Sequence, residues 1–105
     1  MRVEFTFDIG EDKDGQPIDN LDLKLERIQT QLAKAFGGFT RTDTVGGWIN
    51  PTGRLVLERG CVIHVYAKDE LVQYAGQIAS DIRRVLNQAT VLLSLGGNDP
   101  IEIVV

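Results

Sequence analysis

Five residues in this 105-residue chain are placed to act on something other than the chain itself: Gly46, Trp48, Glu58, His64 and Tyr66. If the segments flanking residues 50–53 pair as a hairpin, Gly46 falls opposite Glu58 and Trp48 falls near Val56. A carboxylate beside an indole ring, facing a residue without a side chain, leaves room for a cationic or heterocyclic ligand. The same glycine equally suits strand twist, with Trp48 packing on the hairpin. Glu58 and His64 are six residues apart on one strand, ~20 Å along it. They form no dyad unless the strand bends sharply at Arg59-Gly60. His64 is instead expected to meet Glu4, Thr6 or Asp8 on a neighbouring strand. That pairing serves either as a cross-strand ion pair or as an acid–base couple.

Other chemistries find no support in the residue types. The chain has one cysteine and one histidine, so no metal-ligand cluster with the usual spacing and no intrachain disulfide can form. Cys61 and His64 differ in strand parity and point to opposite faces, which rules out a thiol–imidazole nucleophile. Cys61, in the apolar run Cys61-Val62-Ile63-His64-Val65, is expected to be a buried small hydrophobe. Asp12-Lys13-Asp14-Gly15 has the flavour of a calcium loop. However, the EF-hand spacing puts Gly10 at the first ligand position and Leu21 at the last, where carboxylates are needed. Gly37-Gly38, Gly46-Gly47 and Gly96-Gly97 follow no phosphate-loop pattern. No metal and no cofactor are expected.

The formal charge is −4, and the first thirty residues hold eight acids against four bases. Phosphate backbones are bound by clustered Lys and Arg, and the only adjacent basic pair is Arg83-Arg84. Nucleic acid is therefore not an expected partner. No apolar run reaches the ~18 residues of a membrane span, so no membrane partner is expected. Met1-Arg2-Val3-Glu4-Phe5 alternates and lacks a signal-peptide core. With the single cysteine, this points to a cytoplasmic, soluble protein.

The elements that position these residues follow from hydrophobic period. Residues 1 to 9 alternate, Met1, Val3, Phe5, Phe7 and Ile9 against Arg2, Glu4, Thr6 and Asp8, which is a strand with one buried face. Residues 10 to 20 carry loop chemistry, including Asp14-Gly15. Leu21, Leu25, Ile28, Leu32 and Ala35 form a helical stripe, with Asp19 or Asn20 as cap and Gly37 as terminator. Strands over 39–49 and 54–67 flank Asn50-Pro51-Thr52-Gly53, which has the residues of a type I turn with a bulge at Gly53. In that register Leu55, Leu57, Cys61, Ile63 and Val65 are expected to face the core, and Val56, Glu58, Val62, His64 and Tyr66 the other side. A second helix is expected over 69–87 with stripe Leu71, Ala75, Ile78, Ile82 and Val85 and cap Asp69. A strand over 89–95 and a short one over 101–105 complete the chain.

The order β-α-β-β-α-β is the split β-α-β pattern. The expectation is one α+β domain over residues 1–105. It is a ferredoxin-like two-layer sandwich, an antiparallel sheet with two helices on one face, extended by a short C-terminal strand.

The hairpin segment Gly46-Gly47-Trp48-Ile49-Asn50-Pro51-Thr52-Gly53-Arg54-Leu55-Val56-Leu57-Glu58 resembles a G-x-W-x-x-P-x-G-R-x-V-x-E segment. That segment occurs in a family of small uncharacterised bacterial and phage proteins. The resemblance implies a ferredoxin-like fold and a phage accessory role, with no assigned activity.

A two-layer domain leaves the helix-free face of its sheet open. Trp48, Val56, Val62 and Tyr66 lie there among charges and read as an interface with a polar rim. Two functional readings stand. In the preferred one the chain is a non-catalytic binding or interaction module, a homo-oligomer through this open face, with a protein partner as an alternative cover. In the other it is a small enzyme or metabolite-binding protein. Its small-molecule site then lies at the subunit seam, built from Glu58, Trp48, Gly46, His64 and Tyr66.

Overall fold

The computed structural model describes residues 1–104. Its elements are β1 (Arg2–Asp8), α1 (Leu21–Phe36), β2 (Thr40–Ile49), β3 (Leu55–Tyr66), α2 (Asp69–Val72), α3 (Ala75–Val85), β4 (Val91–Leu95) and β5 (Ile101–Ile103). The five strands form one antiparallel sheet in the order β2-β3-β1-β4-β5. The first four strands have the ferredoxin-like arrangement, and β5 adds an edge beside β4. The strand expected over 101–105 ends at Ile103, short of Val104, and Val105 lies outside the described residues.

Odd-numbered residues of β1 and of inner β3 meet the helices. Val3, Phe5 and Phe7 lie beside Cys61, Ile63 and Val65 across the β1–β3 ladder. They are buried against Leu25, Ile28 and Leu32 of α1 and Ala75, Ile78, Ala79 and Ile82 of α3. Burial pushes the Cys61 thiol up to about 12, so it stays protonated and packs as a small hydrophobe.

Four expectations need correction. Leu55 and Leu57 do not face a core. They share the helix-side parity of Ile63, yet they are 62% and 66% exposed, because β2 and β3 run on past the helices as a two-stranded arm. The second helix is not continuous. Leu71 donates to the carbonyl of Lys68 and Tyr74 to that of Leu71, a tight three-residue spacing that separates α2 from α3. Asp69 does not cap it, since the cap position is Lys68. Neither Asp19 nor Asn20 caps α1 through its side chain: Asn20 takes a left-handed conformation (φ 52°) at the cap. At the other end Gly37, at φ 90°, donates its N–H to Ala33 and closes α1 as expected.

The hairpin turn forms as its residues require. The Gly53 N–H donates to the Asn50 carbonyl at 2.9 Å, and the Asn50 N–H to the Arg54 carbonyl at 2.9 Å. Gly53 sits at φ 83°, the left-handed position of a bulged type I turn. The Asn50 side-chain oxygen accepts from the N–H groups of Thr52 and Arg54 and from the Thr52 hydroxyl. No helix among the described residues is long and apolar enough to cross a membrane.

Candidate functional site

The turn fixes the register, and the register builds the site. Trp48 pairs with Val56, Gly46 with Glu58, and Thr44 with Gly60, while Asp8 of β1 pairs with Gly60 from the other side. All these even-numbered positions share the helix-free face. Glu58 therefore has a glycine across the ladder and another two residues along its own strand. A Cβ at Gly46 would meet nothing within 4 Å, so the space there is open. A Cβ at Gly60 would come within 3.1 Å of the Phe7 carbonyl and of the Thr44 hydroxyl. Only glycine lets these three strands lie this close.

Trp48 closes one side. Its indole N–H donates to the Glu58 carboxylate at 2.9 Å. The bond orients the ring and leaves the other carboxylate oxygen available. Asp8 faces Glu58 diagonally across β1 and β3. Partial burial, and then the nearby Glu58 charge, raise the Asp8 carboxyl above its ordinary range. Two carboxyl groups thus share one recess, and that of Asp8 is raised above its ordinary range.

The recess opens in two directions. On the sheet face it is a hollow of about 360 Å³, bounded by Asp8, Thr44, Gly46, Glu58, Thr90 and Glu102 among others. The Thr90 hydroxyl is buried there with no hydrogen-bond partner. Around the base of the arm is a second hollow of about 300 Å³, lined by Asp8, Gly10, Glu11, Asp12, Glu58 and Arg59. Asp8 and Glu58 line both. Asp12 is folded into its own loop: it accepts from the backbone N–H groups of Gln16 and Asp14, which hold its carboxyl below the usual range. Asn87 also reaches it, at φ 52°. Among the described residues no three His, Cys, Asp or Glu side chains converge as metal ligands.

The five sequence-derived candidates divide into two groups. Gly46, Trp48 and Glu58 come together. His64 and Tyr66 stand six and eight residues along β3 from Glu58, where their rings make an edge-to-face contact at 5.5 Å between centroids. His64 is opposite Glu4 in the ladder, as expected. Yet Arg2 occupies the space between: it pairs with Glu4 at 2.8 Å and approaches His64 Nδ1 at 3.4 Å. Sequence reasoning missed Asp8, Thr90 and Glu102 as members of the Glu58 site. For Asp8 the signal was there, since even parity on strand one already put it on the open face. Its place beside Glu58 depends on the strand order and the ladder offset between β1 and β3. The interface candidates all lie on this face: Trp48 and Tyr66 are exposed, and Val56 and Val62 half-buried.

No protein-family model matches the chain, and no curated protein sequence matches it. Solved structures do. A phage SAM lyase in complex with S-methyl-5'-thioadenosine superposes with a TM-score of 0.66 at 14% identity, covering 99% of this chain and 88% of that one. The apo form of a phage SAM lyase gives 0.65 at 16% identity, with the same coverage. CutA1 from Pyrococcus horikoshii OT3 gives 0.52 at 10% identity, over 100% of this chain and 83% of that one. At these identities the likeness shows a shared fold.

Proposed function

We propose that the chain is a homo-oligomeric binding protein for a small cationic metabolite, with an adenosyl sulfonium compound as the best-fitting ligand. One observation carries the reading. Glu58 stands between two glycines, at the N–H edge of an indole ring and beside a second carboxyl, so a recess on an open sheet face offers negative charge and an aromatic wall together. A sulfonium or ammonium centre is attracted to the carboxylates, and a purine ring can lie against Trp48. The fold supports the same reading, because a phage SAM lyase with this architecture is known with S-methyl-5'-thioadenosine bound. Phage origin of that enzyme also agrees with the phage role implied by the hairpin segment.

The open face gives such a ligand little enclosure by one chain, and a second subunit laid over Trp48, Val56, Val62 and Tyr66 would supply it. Catalysis is the second reading, favoured by the Asp8–Glu58 pair. Two carboxyl groups in one recess, that of Asp8 raised by burial, can exchange protons with a bound substrate. Native mass spectrometry of freshly purified protein tests the main reading, because it reports subunit count and retained ligand in one spectrum. Oligomers that take up added S-adenosylmethionine are expected. A monomer that takes up neither that compound nor its thioether product would refute the reading. Appearance of the free thioether over time would establish the catalytic version.

A further inference from the structure

We infer that the helix-side strip of the β2–β3 arm is a docking surface for a second copy of this chain, which the arm clasps. The strip is Val45, Ile49, Leu55 and Leu57, on the face opposite the Glu58 recess. These residues are 71%, 63%, 62% and 66% exposed, although inner β3 residues of the same parity are fully buried. Leu55 and Leu57 bend over Gly47, where a Cβ would meet them at 3.2 and 3.4 Å, so the strip is continuous across both strands.

Area, edge and charge favour an identical copy as the occupant. Four aliphatic side chains exposed to this degree present roughly 400 Å², the size of functional patches on monomeric proteins. That is about half of the roughly 800 Å² that each partner of a stable interface buries, and the adjoining β2 edge extends it. The outer edge of β2 is unpaired along its length, and its outer half, Val45-Gly46-Gly47-Trp48-Ile49, carries no charge or proline. Edges left in that state pair with other chains. Residues 44–59 hold two arginines and one glutamate, which leaves nine bases and fourteen acids for the rest of the chain. The arm is thus +1 on a body of −5, complementary to the body of its own kind. The clasp does not depend on the ligand reading, because its residues lie on the other side of the hairpin from Glu58.

Sedimentation velocity on the full chain tests it. Wild type is expected to sediment as a closed oligomer that dissociates at higher salt. The double variant Leu55→Ser with Leu57→Ser should sediment as monomer with unchanged circular dichroism, and Val45→Lys on the opposing strand should do the same. Arg54→Glu, near the arm tip, should raise the dissociation constant at least tenfold at low salt. A wild type that is monomeric at high micromolar concentration overturns the inference. So does a folded Leu55→Ser, Leu57→Ser protein with the wild-type oligomer distribution. Loss of assembly in these variants while S-adenosylmethionine binding to wild type is absent would leave the clasp standing and remove the ligand reading alone.

Discussion

The two halves of the β2–β3 hairpin obey one alternation rule and meet opposite fates. Near the helices, Cys61, Ile63 and Val65 turn toward α1 and α3 and are 0–1% exposed. Beyond them, Leu55 and Leu57 turn the same way and stand in the open. Register decides which face a side chain takes, but whether that face is covered depends on how far the neighbouring layer extends. The inner half of the hairpin therefore belongs to the fold. The outer half, with the Trp48–Glu58 pair on one side and bare aliphatics on the other, is available for function.

Substitutions should separate the halves by size of effect. Ile63→Ala removes a buried side chain and should cost about 2–5 kcal/mol in urea unfolding. Gly53→Ala acts at the turn: φ 83° strains an alanine, and about 1 kcal/mol should be lost with the register retained. Leu57→Ala should have a smaller effect that depends on concentration, because its contacts lie in the proposed assembly and not in the monomer. The wild-type melting temperature should climb with protein concentration, and that of Leu57→Ala should climb less. A Leu57→Ala loss as large as that of Ile63→Ala at every dilution would place Leu57 in a core after all.

A subtler comparison concerns Asp8. Its carboxyl is raised in the folded chain by burial and then by the Glu58 charge. The ionised form is thus the disfavoured one in the native state. That penalty is absent below the ordinary carboxylate range and grows as pH rises through the native pKa. Asp8→Asn should melt higher than wild type at pH 7, and the gap should close by about pH 3, where both are neutral. An unchanged gap across that range would show that ionising Asp8 carries no penalty in the native state.

Much of this was legible in the sequence because local chemistry determined it. Asn50, Pro51 and Gly53 specify the turn, the turn sets the register, and the register places Gly46 opposite Glu58 without further information. The rise per residue was enough to separate His64 from Glu58. Long-range facts were less accessible. Leu55 and Leu57 look like core residues because periodicity reports facing and not cover. The break between α2 and α3 is invisible in a stripe of Leu71, Ala75 and Ile78 that continues across it. Asp8 joins Glu58 only once β1 is known to lie beside β3, and Glu102 only once β5 is known to lie beside β4.

Isothermal titration of S-adenosylmethionine into wild type and into Glu58→Gln tests whether the Glu58 carboxylate holds a cationic ligand. Glu58→Gln keeps the shape of the side chain and its bond from the Trp48 N–H while removing the charge. Saturable binding to wild type is expected, with at least a tenfold weaker affinity in the variant and the same oligomer and melting behaviour. Equal affinities in the two proteins, or no heat with wild type at millimolar ligand, would contradict it.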